Sequence, residues 1–275
     1  MKIYHYTSLQ SLVSIISRKQ LRLIRLDEFV NLYEPTFFSA SLFVNNEIKN
    51  RFEDLYISSW TTDPEESIST WKLFSSLDNG VRIGIDTENI FNGSDSCGVE
   101  IYALGVWGNG QFKVKSPQNK MYLSKVQYIS NQDIISGLQN ECNSDTIEAY
   151  RKYREFTDSI ISFSCNKLTA LNEIRLQVKV NRTVQPYAKK ALQEYEKGLN
   201  NDNSISFIIA KLPEFFFRNL EVLVSPNFSD ENIYLLNSFL CEQGIYTEVQ
   251  KSALTKIVHS YIWHQSRSEK INAFQ

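Results

Sequence analysis

The sequence predicts an α+β fold with twisted, mostly antiparallel sheets that form a central cleft with flanking helices. Many short alternating segments are separated by glycine and polar turns, and helical periodicity is confined to a few stretches. No Pro-, Gly- or Ser-rich linker divides the 275 residues, and an apolar fraction of 42% supplies a sizeable core. We therefore expect a single domain over residues 1–258, followed by a C-terminal tail over 259–275.

The first predicted elements are a strand, a helix and a second strand. Residues 2–6 alternate as a strand, and Thr7 followed by Gln10 has the spacing of an N-terminal capping box. A stripe of apolar residues then predicts a core-facing helix over 8–19. Apolar residues alternate with arginines over 21–26, which predicts the second strand.

A strand, a helix and a further strand are predicted next. The strand covers 54–60 and ends in a polar turn. Pro64 suits the first helical position, and the two glutamates after it complement the positive end of a helix dipole. These residues predict a helix over 64–76, and the strand at 81–86 follows it.

The rest of the chain is predicted by the same criteria. Strands are expected at 99–106, 111–116, 121–128, 173–180, 205–210, 221–224 and 245–250, and helices at 130–164 and 230–243. Strict alternation over 173–180 places four polar residues, Glu173, Arg175, Gln177 and Lys179, on one face of that strand.

Composition excludes several functional classes. The formal charge is -2, which does not attract nucleic acid as a strongly basic domain would. The four cysteines are too far apart for CxxC spacing, and no histidine has ligand spacing with the acidic pairs, so no metal site is expected. No apolar run reaches the length that crosses a bilayer, and we expect a cytoplasmic protein without a membrane partner.

Four residues together indicate a chemistry, although each alone is more often structural. Trp60 and Trp71 have ten residues between them, which include a turn, so we expect their rings to clamp a flat heterocycle such as nicotinamide. Breaking the nicotinamide–ribose bond leaves an oxocarbenium-like ribose, which needs a nearby carboxylate, and Glu173 is the candidate. His5 is suited to bind the other ribose of NAD.

Several stretches resemble one bacterial domain family of unknown function, which is similar to the ADP-ribosyltransferase-like group. They cover nearly the whole chain and include the opening Tyr-His-Tyr-Thr at 4–7, Ser-Trp-Thr at 59–61, 66–74, 80–86, 172–176 and 222–226. The resemblance implies an enzyme that uses NAD as a substrate and passes ADP-ribose to a macromolecular acceptor, either protein or nucleic acid. In bacteria such activities serve as toxins or in defence against phage.

The resemblance also implies roles for particular residues. Glu173 would be the catalytic carboxylate, His5 would contact the adenosine ribose, and Trp60 and Trp71 would flank nicotinamide. The full set of expected cofactor-binding residues is His5, Tyr6, Thr7, Ser59, Trp60, Trp71, Arg82 and Arg175. The two arginines would meet the pyrophosphate, but arginines on strands more often pair with acids or solvate a sheet.

Two alternatives remain open. Leu171 replaces a glutamate that the family tends to carry, which leaves the acceptor undefined and makes a non-catalytic nucleotide-binding or partner-recognition module conceivable. The second alternative is a nucleic-acid-binding or nucleic-acid-processing protein, because residues 101–128 contain many aromatic and basic residues that could form a stacking and phosphate-binding surface. An ordinary amphipathic sheet is the more common explanation of such a segment.

Overall fold

The computed structural model describes residues 1–26, 28, 55–91, 96–98, 101–104, 111–114, 120–128, 163–164, 172–179 and 207–258. This part of the chain is a mixed α+β fold with few helices and mostly antiparallel strand pairing, which confirms the fold class at that level. The chain forms two compact units. The first unit comprises Met1–Gln20, Trp60–Gly93 and Leu212–Gln275, and the second comprises Leu21–Ser59 and Ser94–Lys211. The single domain over 1–258 stays a prediction, and the tail at 259–275 lies outside the described residues.

The strands are numbered along the chain. They are β1 (Lys2–Ser8), β2 (Gln20–Arg25), β3 (Leu55–Thr61), β4 (Gly80–Asp86), β5 (Ser96–Gly98), β6 (Ile101–Leu104), β7 (Gln111–Val114), β8 (Lys120–Lys125), β9 (Gln127–Tyr128), β10 (Phe163–Ser164), β11 (Glu173–Lys179), β12 (Phe207–Lys211), β13 (Glu221–Val224) and β14 (Val249–Lys251). The helices are α1 (Leu9–Arg18), α2 (Ile68–Phe74), α3 (Glu88–Phe91) and α4 (Asp230–Glu242), and a 3₁₀ helix covers Glu214–Phe217.

The sheet of the first unit has the strand order β14-β13-β4-β1. β1 and β4 pair antiparallel along their whole length, from Lys2 opposite Asp86 to Ser8 opposite Gly80. The end of β3 joins β1 through Thr61, which lies opposite Tyr4. Because side chains alternate along a strand, His5 and Thr7 point to one face of this sheet, and Tyr4 and Tyr6 point to the other.

In the second unit, two groups of strands are paired antiparallel: β12-β6-β7 and β11-β8-β5. β11 pairs with β8 from Ile174 opposite Lys125 to Val178 opposite Met121, and it also pairs with β3. All residues of β11 except Lys179 are buried. The alternation predicted for this strand therefore places polar side chains on a face that is covered, and not on a solvated one.

The N-terminal boundary of α1 differs from the prediction by one residue. The cap is Ser8, whose hydroxyl accepts a hydrogen bond from the Ser11 amide. Thr7 remains in β1 opposite Val81, and it is buried, so it does not cap the helix. The helix ends at Lys19, which adopts a left-handed conformation with φ of 51°.

The helix predicted from Pro64 begins later and is shorter. Residues 62–67 are not helical, because Asp63 accepts a hydrogen bond from the Glu65 amide in a local turn. Ser67 is the actual cap of α2, and its hydroxyl accepts from the Thr70 amide. The helix start predicted at Pro64 was therefore wrong, and the Glu66 side chain accepts hydrogen bonds from Trp71 and Ala253 instead of lying in a first helical turn.

Other differences lie further along the chain. The strands at 81–86 and 221–224 and the helix at 230–243 are confirmed to within one residue. The strand predicted over 245–250 is wrong for its first four residues, because only Val249–Lys251 forms β14. The predicted helical segment 130–164 lies outside the described residues, apart from its last two residues, which form β10.

Gly80 allows α2 to approach β4 closely. A Cβ atom at this position would lie 2.1 Å from Ser75 Oγ and 2.2 Å from the Ser76 carbonyl oxygen, with the Trp71 ring at 3.0 Å. The Gly80 amide also donates a hydrogen bond to the buried Ser225 hydroxyl, which restricts any shift of the backbone at this position. This contact fixes the end of α2 and with it the position of Trp71.

We expect Gly80→Ala to lower the free energy of unfolding by about 1–3 kcal/mol, because the added methyl group overpacks a junction that includes backbone. The near-ultraviolet circular dichroism should change as well, since Trp71 lies at the junction. Gly244→Ala is the control: its φ of 73° disfavours alanine, but no atom lies within 4 Å of the added Cβ. A Gly80→Ala protein with native stability and native tryptophan signal would contradict this packing.

Candidate functional site

The second unit holds a buried carboxylate with two side-chain donors. Ser59 Oγ donates to Glu173 Oε1 at 2.8 Å, and Arg175 Nε donates to the same oxygen at 3.1 Å. Glu173 is 7% exposed and Arg175 is fully buried. A buried guanidinium requires an anionic partner to offset its lost hydration, and Glu173 supplies it. The expectation that Arg175 solvates the sheet was wrong, whereas pairing with an acid is what the structure has.

The two oxygens of the Glu173 carboxylate differ in their hydrogen bonding. Within the described part of the chain, Glu173 Oε2 forms no hydrogen bond or ion pair, while Oε1 accepts both donors. The side chain is thus held through one oxygen. A group held in this way can present its other oxygen to a ligand without first losing a protein partner.

The backbone around Glu173 is also fixed. Its carbonyl oxygen accepts a hydrogen bond from the Val126 amide at 3.0 Å. The preceding residue, Asn172, has φ of 43°, a left-handed conformation that asparagine tolerates better than most residues. Such conformations occur often at functional sites, where the surrounding structure maintains them. The turn sets the point at which β11 begins and therefore the position of Glu173.

In the first unit, His5 and Trp60 pack on one face of β1. Their ring centroids are 4.8 Å apart with an interplanar angle of 30°, and Trp60 also meets Phe216 edge to face at 6.4 Å. Trp60 is only 2% exposed. Thr7 points to this same face, two residues after His5.

Trp71 packs on the opposite face. Its ring meets Tyr6 edge to face with a centroid distance of 4.8 Å, and it is fully buried. The indole Nε1 donates to Glu66 Oε2 at 3.0 Å, and Glu66 Oε1 accepts from the Ala253 amide at 3.0 Å. Glu66 thereby joins α2 to the segment that follows β14.

The expected two-sided tryptophan clamp is not formed. His5 and Tyr6 are consecutive in β1, so their side chains point to opposite faces, and each contacts a different tryptophan. The strand pairing is consistent with this separation. Thr61 lies opposite Tyr4, so its neighbour Trp60 points to the other face of the sheet. The spacing of Trp60 and Trp71 along the chain was compatible with a clamp, but the alternation of side chains along β1 separates their rings. Contact of either ring with nicotinamide stays a prediction, though not as two walls of one clamp.

Arg82 lies beside the tyrosines on the Tyr6 face. Its guanidinium carbon is 4.6 Å from the centroid of the Tyr4 ring and 5.9 Å from that of Tyr6, and Nη1 donates to the Pro64 carbonyl at 2.7 Å. Arg82 has no carboxylate partner among the described residues. Gly84 makes room for Tyr4, because a Cβ there would lie 2.9 Å from the ring. The guanidinium is therefore oriented by aromatic packing, and its charge is not neutralised by an acid.

The hydroxyl of Tyr6 is buried without a hydrogen-bond partner in the described residues. Burial raises the pKa of this hydroxyl, the charge of Arg82 opposes the rise, and Glu66 and Asp63 add to it. A buried donor without a partner is costly for a folded protein. The Tyr6 hydroxyl thus stays unsatisfied within the described residues, whereas Arg82 donates to the Pro64 carbonyl.

The expected site residues divide between the two units. His5, Tyr6, Thr7, Trp60, Trp71 and Arg82 belong to the first unit, and Ser59, Glu173 and Arg175 belong to the second. Ser59 and Arg175, which were predicted to bind NAD, both donate to the predicted catalytic carboxylate Glu173, and the predicted roles of all three stay predictions. Glu66 was interpreted as a residue in the first turn of a helix that begins at Pro64. Since that helix start was wrong, the hydrogen bond from Trp71 to Glu66 was missed. Most side chains of the proposed nucleic-acid surface at 101–128 lie outside the described ones.

Comparisons with known proteins give no family assignment. No protein-family model, curated protein or solved structure matches the chain. Within the residues that the structure describes, no cluster of three His, Cys, Asp or Glu side chains is arranged to hold a metal ion. No helix in the described ranges is both long and apolar enough to cross a membrane.

We expect Glu66→Ala to lower the free energy of unfolding by about 1–3 kcal/mol, because it leaves the Trp71 indole and the Ala253 amide without their acceptor. Hydrogen exchange should become faster at the Ala253 amide. Glu65→Ala is the matched control, since the Glu65 side chain is exposed and forms none of these contacts. Equal exchange rates at Ala253 in the native protein and in Glu66→Ala would show that the link is unimportant.

We expect Tyr6→Phe to be as stable as the native protein or more stable at pH 7, because it removes a buried hydroxyl that has no partner. The raised pKa of Tyr6 means that the unfolded chain ionises first as pH rises above about 10, which lowers stability there. Tyr6→Phe should lose less stability than the native protein between pH 9 and about 11. Urea denaturation across this range measures the effect, and parallel curves for the two proteins would rule it out.

Proposed function

We propose that this protein is an NAD-dependent ADP-ribosyltransferase in which Glu173 is the catalytic carboxylate. The observation that carries the proposal is the geometry of Glu173: the carboxylate is buried, it is held through Oε1 by Ser59 and Arg175, and Oε2 has no partner in the described residues. A fixed anion of this kind suits a reaction in which positive charge develops on a ribose ring.

The chain's own residues have defined tasks in such a reaction. The bond between the nicotinamide nitrogen and C1′ of the ribose breaks, and its electron pair leaves with nicotinamide. Glu173 Oε2 stabilises the positive charge that develops at C1′, while Ser59 and Arg175 keep the carboxylate in position. A nucleophile on the acceptor then bonds to C1′ and releases a proton. Binding of NAD by His5, Tyr6, Thr7, Trp60, Trp71 and Arg82 is a separate set of predictions for the first unit.

A nucleotide-binding module without turnover is the second candidate. The observation that favours it is the ion pair between Glu173 and the fully buried Arg175, because an ion pair reduces the negative charge available to a ribosyl cation. In that case the pair would serve the stability of β11, and any bound NAD would remain intact. The two candidates differ in one measurable product, free nicotinamide.

We expect the native protein to release nicotinamide from NAD, alone or with a cell lysate as the source of acceptor. Glu173→Gln should reduce the turnover number on the order of 10²–10³-fold, because it removes the charge while keeping the shape and the acceptor oxygen. Ser59→Ala should cause a smaller loss, since it removes only one hydrogen bond that positions the carboxylate. Chromatographic measurement of nicotinamide checks both variants.

Two controls make this result interpretable. Glu231→Gln makes the same chemical change at an exposed position on α4 and should keep native turnover. Glu173→Asp retains the charge and the partner for Arg175, so it tests position without leaving a buried cation unpaired. Native turnover in a folded Glu173→Gln protein would overturn the proposed role. NAD binding without nicotinamide release from the native protein would favour the binding module.

A further inference from the structure

The polar face of β11 continues beyond the Glu173–Arg175 pair. Glu173, Arg175 and Gln177 are two residues apart and therefore point to the same face of the strand. The neighbouring strand β8 places Ser124 opposite Arg175 and Tyr122 opposite Gln177. Directly opposite side chains of an antiparallel pair lie close together, so Gln177 and Tyr122 form one cross-strand pair.

The polar groups along this face differ in how they are satisfied. Glu173 and Arg175 are paired with each other, and Ser59 adds a further hydrogen bond. Gln177 is 2% exposed, and its side-chain nitrogen Nε2 is buried with no hydrogen-bond partner in the described residues. Buried amide groups in folded proteins nearly always have partners, so this nitrogen requires an explanation.

Tyr122 has a related environment. Its side chain is half-buried, burial raises the pKa of its hydroxyl, and no hydrogen bond of that hydroxyl is found in the described part of the chain. Both members of the pair can donate a hydrogen bond. The pair thus offers two donors on one face of the sheet, and it includes no carboxylate that would accept them.

We propose that Gln177 and Tyr122 form a ligand subsite, in which the Gln177 amide and the Tyr122 hydroxyl donate hydrogen bonds to oxygens of a nucleotide's ribose or phosphate groups. This inference rests on the proposed function, since it places NAD at Glu173. Glu173 and Gln177 are four positions apart, which corresponds to about 13 Å along the strand. The ADP-ribose part of NAD is elongated enough to extend over this distance, whereas nicotinamide alone is not.

Gln177→Met tests the subsite, because methionine has a similar shape and lacks the amide. We expect the dissociation constants of NAD and of ADP-ribose to rise by roughly 5- to 30-fold in calorimetric titrations. The turnover number at saturating NAD should stay native, since the lost contact binds the ground state and transition state alike. Gln10→Met, at an exposed position on α1, is the control and should bind both ligands with native affinity.

A second measurement separates ligand binding from a structural role. Without ligand, Gln177→Met should unfold at the same urea concentration as the native protein or at a higher one, because the Gln177 amide nitrogen has no hydrogen bond to lose among the described residues. A marked fall in that concentration would show that the amide has a partner within the protein, and the inference would be wrong.

The two proposals fail in different ways. If nicotinamide release depends on Glu173 but Gln177→Met binds ADP-ribose with native affinity, the subsite is wrong and the proposed function stands. If the native protein binds neither NAD nor ADP-ribose, both are wrong. Weaker binding of ADP-ribose together with native turnover and native stability is the result that supports the subsite.

Discussion

The alternation of side chains along β-strands decides which groups meet in this protein. On β1 it separates His5 and Trp60 from Tyr6 and Trp71, although all four are aromatic and His5 and Tyr6 are consecutive in the chain. On β11 the same rule collects the polar residues of the strand on one face. Residue spacing along the chain therefore gives little information about shared sites until the strand register is known, because a shift of one residue exchanges the faces.

In the second unit, the polar face of β11 is buried, and this burial determines how its charged side chains are paired. Arg175 is fully buried, and a guanidinium in that environment is tolerated only with an anionic partner and good hydrogen-bond geometry. Glu173 meets this need with Oε1, while Oε2 has no partner in the described residues. The ion pair thus holds a carboxylate in a defined orientation, and the proposed chemical role falls on the side chain that neutralises Arg175.

Much of the fold follows from sequence, but the environment of the site does not. Strands such as β4 and β13 and helix α4 have clear periodicity, and their bounds are predicted closely. The caps at Ser8 and Ser67 were missed because several serines, threonines and acids compete for each cap, and packing selects among them. Glu173 was selected through the chemistry that a ribosyl cation requires, and its catalytic role stays a prediction. The burial of Arg175 was not predicted, since alternation identifies the faces of a strand and not which of them is covered.

We propose that Glu173 presents Oε2, which has no partner in the described residues, to the ribose attached to nicotinamide. A crystal structure of Glu173→Gln with NAD tests this role, because slow turnover keeps the dinucleotide intact. We expect the nicotinamide ribose within hydrogen-bond distance of the side chain at position 173, with Ser59 and Arg175 still contacting its other terminal atom. NAD bound away from this residue, or a side chain at 173 enclosed entirely by protein, would contradict the proposed role.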